Sequence, residues 1–266
     1  MLLSRKQKPI PERLSHFTGM EALKSILSDI EGKGICFRAF SNKYKNDDQE
    51  IKIGEYMFKR VLEILPSGVS LLHQFSGYEN SASISFMEGE VNQHMLDEYG
   101  HFRLEFDLRK IGIGFLTGGL VDCEYVEESE LEEYADEYCE MISAKFNSIP
   151  ALQEKFGKVS AQPFNSLIEF FMMELDIMAK VVCMKDKKWG DEKEWRKVFE
   201  LKHDNNVLYH DGKPYIQYYI DKAMLTGITV FCSSKTMDKV QKNADDILQY
   251  IAERGYDAKV QVEMFE

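Results

Sequence analysis

Two segments of this chain alternate strictly between apolar and polar residues, which is the pattern of half-buried β-strands. The first is NSASISFMEGE, in which Ser81, Ser83 and Ser85 share one face and apolar residues occupy the other. The second is HFRLEFDL, in which every other residue from Phe102 to Phe106 is apolar. Because this spacing of two fits a strand and not a helix, the chain must build a sheet that buries one face.

The composition predicts a soluble protein with a packed core. Of the 266 residues, 44% are hydrophobic, and the formal net charge is -12. Such a charge disfavours bulk binding to nucleic acid and to membranes, although it is compatible with a local basic groove. The five cysteines form no Cys-x-x-Cys pair, and the amino terminus lacks the continuous apolar segment of a signal peptide. We therefore expect reduced thiols and a cytoplasmic location.

Helical patterns separate the predicted strands. In LSHFTGMEALKSIL a short strand precedes a helix, and Thr18 and Glu21 have the spacing of a capping box, with Thr18 as the N-cap. An acidic helical pattern covers residues 127–147, and a much more apolar one covers 164–184. No linker-like tract or internal repeat divides the chain. We predict a single α+β domain over residues 1–266, with a helical insertion at about 127–184 between strands.

The segment WGDEKEWRKVFE places acidic residues at the start of a predicted strand. Residues two apart in a strand share a face, so Glu192, Glu194, Arg196 and Val198 would lie on one side. Two carboxylates on one face repel each other unless a cation, a hydrogen-bond donor or a substrate separates them. Either a solvated strand end with Arg196 as counter-ion or a functional pair of acids explains the pattern.

Other polar motifs are explained more simply by structure than by chemistry. His203-Asp204 and His210-Asp211 do not have the spacing of a metal site, and the second pair lies in a predicted hairpin turn. The glycine-rich segment GIGFLTGG lacks the lysine of a phosphate-binding loop. We therefore predict no metal site.

The order of three polar features, His16, the serine face and Glu192/Glu194, is the layout of ADP-ribosyltransferase-like folds. The stretches LSHFTGMEALKSIL, NDDQE, SISF, MLDEYGHFRLEFD, VDCEYV and KKWGDEKEWRKV resemble, in this order, the prokaryotic family called domain of unknown function 2971. The resemblance runs from about residue 14 to about residue 229. That family in turn resembles ADP-ribosyltransferases, which implies a split β-sheet core whose cleft holds NAD as a substrate.

The resemblance also implies roles for the two glutamates. Cleavage of the bond between nicotinamide and ribose builds positive charge at C1′, as in glycoside cleavage. Glu194, the second acid of the pair, would oppose that charge and be the main catalytic group. Glu192 would orient or activate the acceptor.

Cofactor contacts are expected on the strands that precede the glutamates. His16 and Thr18 would hold the adenosine side of NAD, and Ser83 or Ser85 the nicotinamide ribose. Arg38, Lys43 and Lys45 are the candidates to contact the pyrophosphate. We expect His16, Ser83 or Ser85, and Glu194 to converge on one cleft. The tyrosine that stacks on nicotinamide in this fold has three candidates here, namely Tyr44, Tyr56 and Tyr99.

The resemblance implies an enzyme that transfers ADP-ribose from NAD to an unknown macromolecular acceptor, or that hydrolyses NAD. Its toxin-like relatives suggest a role in stress response or antiviral defence. The alternative is a non-catalytic module that keeps the same fold for nucleotide sensing or for protein interaction.

Overall fold

The computed structural model is a mixed α+β protein in which several β-sheets pack against helices. It describes residues 8–44, 48–64, 80–110, 120–147, 173, 176–201, 206–233 and 237–265. No helix among these described residues is long and apolar enough to cross a membrane.

The largest sheet has seven strands in the described part of the chain. Its order from one edge to the other is β12-β11-β4-β1-β3-β8-β5, and neighbours are antiparallel except for β11 and β12. The strands are β1 (Arg13–Thr18), β3 (Ser81–Met87), β4 (Phe102–Asp107), β5 (Leu120–Asp122), β8 (Glu194–Glu200), β11 (Leu225–Cys232) and β12 (Lys259–Met264).

Two smaller sheets complete the β-structure of the described residues. One has the order β2-β10-β9, formed by β2 (Ile35–Phe40), β10 (Lys213–Ile220) and β9 (Leu208–His210). The other pairs β6 (Glu124–Val126) with β7 (Met184–Asp186) in parallel. The turn between β9 and β10 has positive φ at Asp211 and Gly212, which is the type I′ geometry that the Asp-Gly sequence predicts.

The helices lie between these strands. They are α1 (Met20–Ile26), α2 (Asp48–Ile64), α3 (Gln93–Tyr99), α4 (Leu131–Asn147), α5 (176–182) and α6 (Met237–Ala252). Short 3-10 helices cover Ile30–Gly32, Asn42–Tyr44, Leu108–Lys110, Glu128–Glu130, Lys187–Glu192 and Lys222–Met224. The acidic helix predicted for 127–147 is thus a 3-10 turn followed by α4. Of the predicted helix at 164–184, residues 164–172, 174 and 175 lie outside the described residues, and α5 ends at 182 because Met184 already belongs to β7.

Alternation along the central strands separates two apolar layers. Ile84 and Phe86 of β3 belong to the core between the seven-stranded sheet, the sheet of β2 and β10, and helices α1 and α6. Val198 of β8 lies on the other side of the seven-stranded sheet and belongs to a second core with α2, α4 and α5. Ile177 and Val181 of α5 are buried there, as the apolar pattern predicts. Two sides of the central strands are therefore covered, which buries polar groups on β8.

Candidate functional site

A cavity of about 540 Å³ opens between β1, β2, β3 and α1. The five residues predicted to hold NAD all line it, although they lie on three strands far apart in sequence: His16, Thr18, Arg38, Ser83 and Ser85. Tyr99, the last residue of α3, also lines it, whereas the other two tyrosine candidates do not. We refer to it as the polar cavity.

The polar cavity exists because β1 and β3 separate. Their only backbone pairing in the described residues is Ser15 with Met87, beyond which the strands diverge. His16 bridges part of the gap, since its Nδ1 lies 2.8 Å from the carbonyl oxygen of Ser85. A carbonyl only accepts, so Nδ1 carries the hydrogen and Nε2 is left as an acceptor. Burial lowers the pKa of His16, so the imidazole is neutral near pH 7.

A buried asparagine holds the serine face of β3. Ser83 Oγ donates to Asn42 Oδ1 at 2.8 Å, and Asn42 Nδ2 donates to Ser81 Oγ at 2.8 Å. Asn42 is fully buried in the 3-10 helix that follows β2. No local sequence pattern predicts this contact, because Asn42 and the serines are about 40 positions apart. The result is a serine hydroxyl fixed at the cavity wall.

Arg38 supplies the positive charge of the polar cavity. It is exposed on β2, and its guanidinium lies 5.9 Å from the centre of the Tyr215 ring. Phe17 and Phe37 provide aromatic walls, and Glu21 of α1 adds a carboxylate. The lining therefore combines one guanidinium, several hydroxyls and apolar rings, which suits a ligand with an anionic group and flat heterocycles.

Thr18 does not cap α1, so the capping-box prediction is wrong. Thr18 is the last residue of β1, Gly19 is the N-cap, and the cap has no side-chain hydrogen bond. The backbone of Thr18 is instead packed against Gly100, which has a φ of +106. A Cβ at Gly100 would lie 2.6 Å from the Thr18 carbonyl oxygen, so only glycine fits. This close approach positions the preceding Tyr99 at the cavity wall.

The two glutamates do not line the polar cavity. Glu194 is 2% exposed, and both of its carboxylate oxygens are engaged. Oε1 accepts from Arg196 Nε at 2.7 Å, while Oε2 accepts from Lys185 Nζ at 2.8 Å and from Arg196 Nη2 at 3.0 Å. The prediction of a solvated strand end is therefore wrong, because α2 and α5 cover this face of β8.

Glu192 lies before the strand rather than in it, which corrects the predicted four-residue face. It ends the 3-10 helix Lys187–Glu192, and Lys193, with a φ of 45°, turns the chain into β8. Its Oε2 accepts from Lys185 Nζ at 2.5 Å, and its Oε1 accepts from the Tyr99 hydroxyl at 3.0 Å. One lysine thus separates the two carboxylates. Tyr99 connects them to the polar cavity.

Arg196 extends this buried network to α2 and α5. Its Nη2 donates to Glu50 Oε2 at 2.7 Å, and its Nη1 donates to the carbonyl oxygen of Val182 at 2.6 Å. Burial opposes the charge of Lys185, yet the attraction of Glu194 and Glu192 raises its pKa well above the ordinary value. The network therefore holds its charges by mutual pairing, which is the condition for keeping ions in a protein interior.

Strand register decides which predicted residues meet. Met87 is paired with both Ser15 and Glu194, so these three side chains share one face of the sheet. His16 follows Ser15 and therefore faces the opposite side, where it contacts the Phe37 ring at 5.0 Å. Glu194 does not line the cavity that His16, Ser83 and Ser85 share, so the expectation that His16 and Glu194 converge on one cleft is wrong. Ser85 does share the face of Glu194, since it is paired with Arg196.

Comparison with protein-family models, with curated proteins and with solved structures finds no match for this chain.

Proposed function

We propose that this chain binds NAD in the polar cavity and acts as a nucleotide-binding module. One observation carries the proposal. The five residues that the sequence resemblance assigns to NAD line a single cavity. Its volume of about 540 Å³ is in the range of small-molecule sites, about 300–1,000 Å³.

The chemistry of the lining fits the parts of a dinucleotide. Arg38 can pair with the pyrophosphate, since guanidinium and phosphate form strong charge-assisted hydrogen bonds. The hydroxyls of Thr18 and Ser85 are suited to ribose hydroxyls, and the neutral His16 offers Nε2 as an acceptor. The half-buried Phe40 ring, which also lines the cavity, gives an apolar surface for a base.

The same features support an ADP-ribosyltransferase-like fold. A single backbone pairing between Ser15 and Met87 joins β1 to β3, and β8 lies directly beside β3. The three-stranded sheet of β2, β10 and β9 faces the gap across the core. Membership of the family called domain of unknown function 2971 stays a hypothesis that rests on the quoted motifs.

Binding is favoured over catalysis because the proposed catalytic carboxylate is occupied. Cleavage of NAD requires a carboxylate that faces the reacting ribose. Glu194 is 2% exposed and is held by Lys185 and Arg196, so reaching a substrate would break at least two buried ion pairs. The carboxylates that sequence assigned to catalysis are better explained as part of the interior.

A second candidate function is turnover of NAD, by hydrolysis or by transfer of ADP-ribose to a macromolecule. The hydrogen bond of 3.0 Å from Tyr99 to Glu192 favours it, because this bond links the cavity wall to the buried carboxylates. If a ligand displaced Tyr99, Glu192 would be the first carboxylate that it met.

Calorimetric titration of the purified chain with NAD tests the proposal. We expect saturable binding at one site, and Arg38→Ala should weaken it by about tenfold or more through the lost ion pair. Arg13→Ala is the matched control, since Arg13 is exposed on β1 and does not line the cavity. It should bind as the wild type does.

Release of nicotinamide, measured by chromatography in the same samples, separates the two candidates. Binding without release supports the module, whereas release that Arg38→Ala reduces supports turnover. Absence of NAD binding in the wild type would refute both candidate functions.

A further inference from the structure

The strand β12 forms one edge of the seven-stranded sheet. Within the described residues it pairs with β11 alone, in parallel, from Lys259 to Met264. At six residues it is twice as long as β5, the three-residue strand at the opposite edge of this sheet. It contains no proline, and its register with β11 is continuous. A long and regular edge of this kind is a template for pairing with another strand.

Alternate residues of β12 direct their backbone groups away from β11. The N–H of Phe265 donates to the carbonyl oxygen of Cys232 at 2.8 Å, so the odd-numbered positions bond to β11. In a parallel ladder, the residues between them point their N–H and C=O groups to the other side. Val260, Val262 and Met264 therefore present backbone donors and acceptors along the outer edge of the sheet.

The side chains of β12 are complementary to a second copy of the same strand. In the segment KVQVE, Lys259 and Glu263 lie at equal distances before and after Gln261, and a valine stands on each side of it. An antiparallel pair of such strands with Gln261 opposite its own copy places each Lys259 opposite a Glu263. The valines are then opposed as well. This register also fits the backbone, because even-numbered residues, whose polar groups point outward, stand opposite each other.

The charges that this pairing needs are at the surface. Lys259 is exposed and makes no ion pair with any described residue. The Glu263 side chain is 45% exposed and lies 3.8 Å from Arg103, which is closer to Glu105, at 3.3 Å. Charged residues on an edge strand can also prevent pairing between chains. Here their opposite signs, at equal distances from Gln261, favour antiparallel pairing of two copies.

A copy paired along β12 would also cover apolar surface. Met264 is 41% exposed and lies on the same face of β12 as the two valines, which pack against the core that includes α6. On α6, Leu248 is 51% exposed. It lies on the flank opposite Tyr250, since two positions are about 200° apart in a helix, and Tyr250 donates to the Lys24 carbonyl oxygen of α1. Leu248 therefore faces away from α1, on the side that the α6 of a second copy would approach.

We propose that two copies of this chain form a symmetric dimer through β12. The two strands pair antiparallel about a two-fold axis that passes between the Gln261 residues, and the two seven-stranded sheets become one continuous sheet. A two-fold interface uses the same patch on both subunits, which the order of Lys259, Gln261 and Glu263 allows. Each dimer then contains two ion pairs between Lys259 of one copy and Glu263 of the other.

Sedimentation velocity of the full chain over a range of concentrations tests the dimer. Lys259→Glu places like charges opposite each other twice in every dimer, so it should raise the dissociation constant by about tenfold or more. Glu263→Lys in the same chain restores opposite charges and should restore the dimer. Lys52→Glu is the matched control, since Lys52 is exposed on α2, which packs in the second core on the other side of the sheet. Melting temperatures show that each variant folds.

A cysteine substitution tests the register. Because Gln261 stands opposite its own copy, Gln261→Cys should form a disulfide between two chains on mild oxidation, which electrophoresis without reductant detects. Glu263→Cys is the control, since the two residues 263 are four strand positions apart in this register. That separation is about 13 Å, beyond the reach of a disulfide. The native cysteines are buried, so the wild type supplies the background.

Three results would overturn the proposal. A wild-type chain that stays monomeric at every concentration would refute the dimer itself. A dimer that Lys259→Glu leaves unchanged would use another surface of the molecule. Equal disulfide formation at positions 261 and 263, or a failure of Glu263→Lys to reverse the effect of Lys259→Glu, would refute the antiparallel register at Gln261.

Discussion

The hydroxyl of Tyr99 donates to Oε1 of Glu192 at 3.0 Å, so a residue of the polar cavity is hydrogen-bonded to a carboxylate that is 1% exposed. Burial raises the pKa of Tyr99 above its ordinary value, and the phenol stays a donor throughout the neutral range. The cavity and the buried network are therefore in direct contact through one hydrogen bond.

Removal of this hydrogen bond should lower the free energy of unfolding while the aromatic ring of residue 99 stays at the cavity wall. Tyr99→Phe keeps the ring but leaves Glu192 Oε1 with one donor fewer, and we expect a loss of about 1.5–3 kcal/mol in the free energy of unfolding. Urea denaturation measures it. Tyr209→Phe is the control, because Tyr209 is 71% exposed and its loss should change little. Equal stability of both variants would show that the bond to Glu192 contributes nothing.

Substitution of Lys185 should strongly destabilise the buried network. Lys185→Met removes the ammonium group between Glu192 and Glu194 and leaves two buried carboxylates facing each other. Breaking one side of a buried ion pair costs about 3–5 kcal/mol, so we expect a loss of this size in denaturant titrations. Lys188→Met is the control, since the Lys188 side chain is 49% exposed.

A second substitution tests whether carboxylate repulsion is the cause. In the Lys185→Met background, Glu192→Gln removes one of the two like charges, so it should restore part of the lost stability. If Glu192→Gln lowers stability further in that background, Lys185 acts through packing alone.

The strands were predictable because their signal is local. Alternation in NSASISFMEGE identified Ser81–Met87, but it did not show that the serine face is covered as well, with Ser81 only 3% exposed. The Asp211-Gly212 turn was predictable for the same reason, since these two residue types favour the backbone geometry of a type I′ turn. Thr18 is not a helix cap because it pairs with Phe102 of β4 and is therefore the last residue of β1. No local sequence pattern reveals this pairing.

The buried network was not predictable for the same reason. Glu50 and Arg196 are 146 positions apart, and Lys185 stands in CMKDKKW without any spacing that marks it as a partner of the glutamates. Sequence reasoning required a cation, a hydrogen-bond donor or a substrate between the two acids. Lys185 is that cation, whereas the only cation that the sequence pattern suggested was Arg196. Which face each residue occupies follows from the pairing of Met87 with Ser15 and Glu194, and pairing is a property of the assembled sheet.

Acid sensitivity should depend in part on Asp107. Hydrogen bonding to Arg109 lowers the pKa of Asp107 from 3.8 to about 2. A depressed carboxyl pKa stabilises the folded state above the unfolded value, and this contribution is lost as pH falls from about 4 to about 2. Melting temperature should therefore fall less steeply with pH in Asp107→Asn than in the wild type. An identical slope in Asp107→Asn and in the wild type would contradict the assignment.

The two glutamates should be distinguished by stability rather than by activity. Glu194→Gln removes the charge that pairs with Lys185 and Arg196, so we expect a loss of about 3–5 kcal/mol in unfolding free energy while NAD affinity is retained wherever the variant is folded. Glu192→Gln keeps the acceptor for Tyr99 and should cost less. A catalytic Glu194 predicts instead a fall in nicotinamide release by about a hundredfold or more, with little change in melting temperature. Unfolding free energy and nicotinamide release, measured on both variants, distinguish the structural role from the catalytic one. A Glu194→Gln variant that is as stable as the wild type but inactive would refute the structural role.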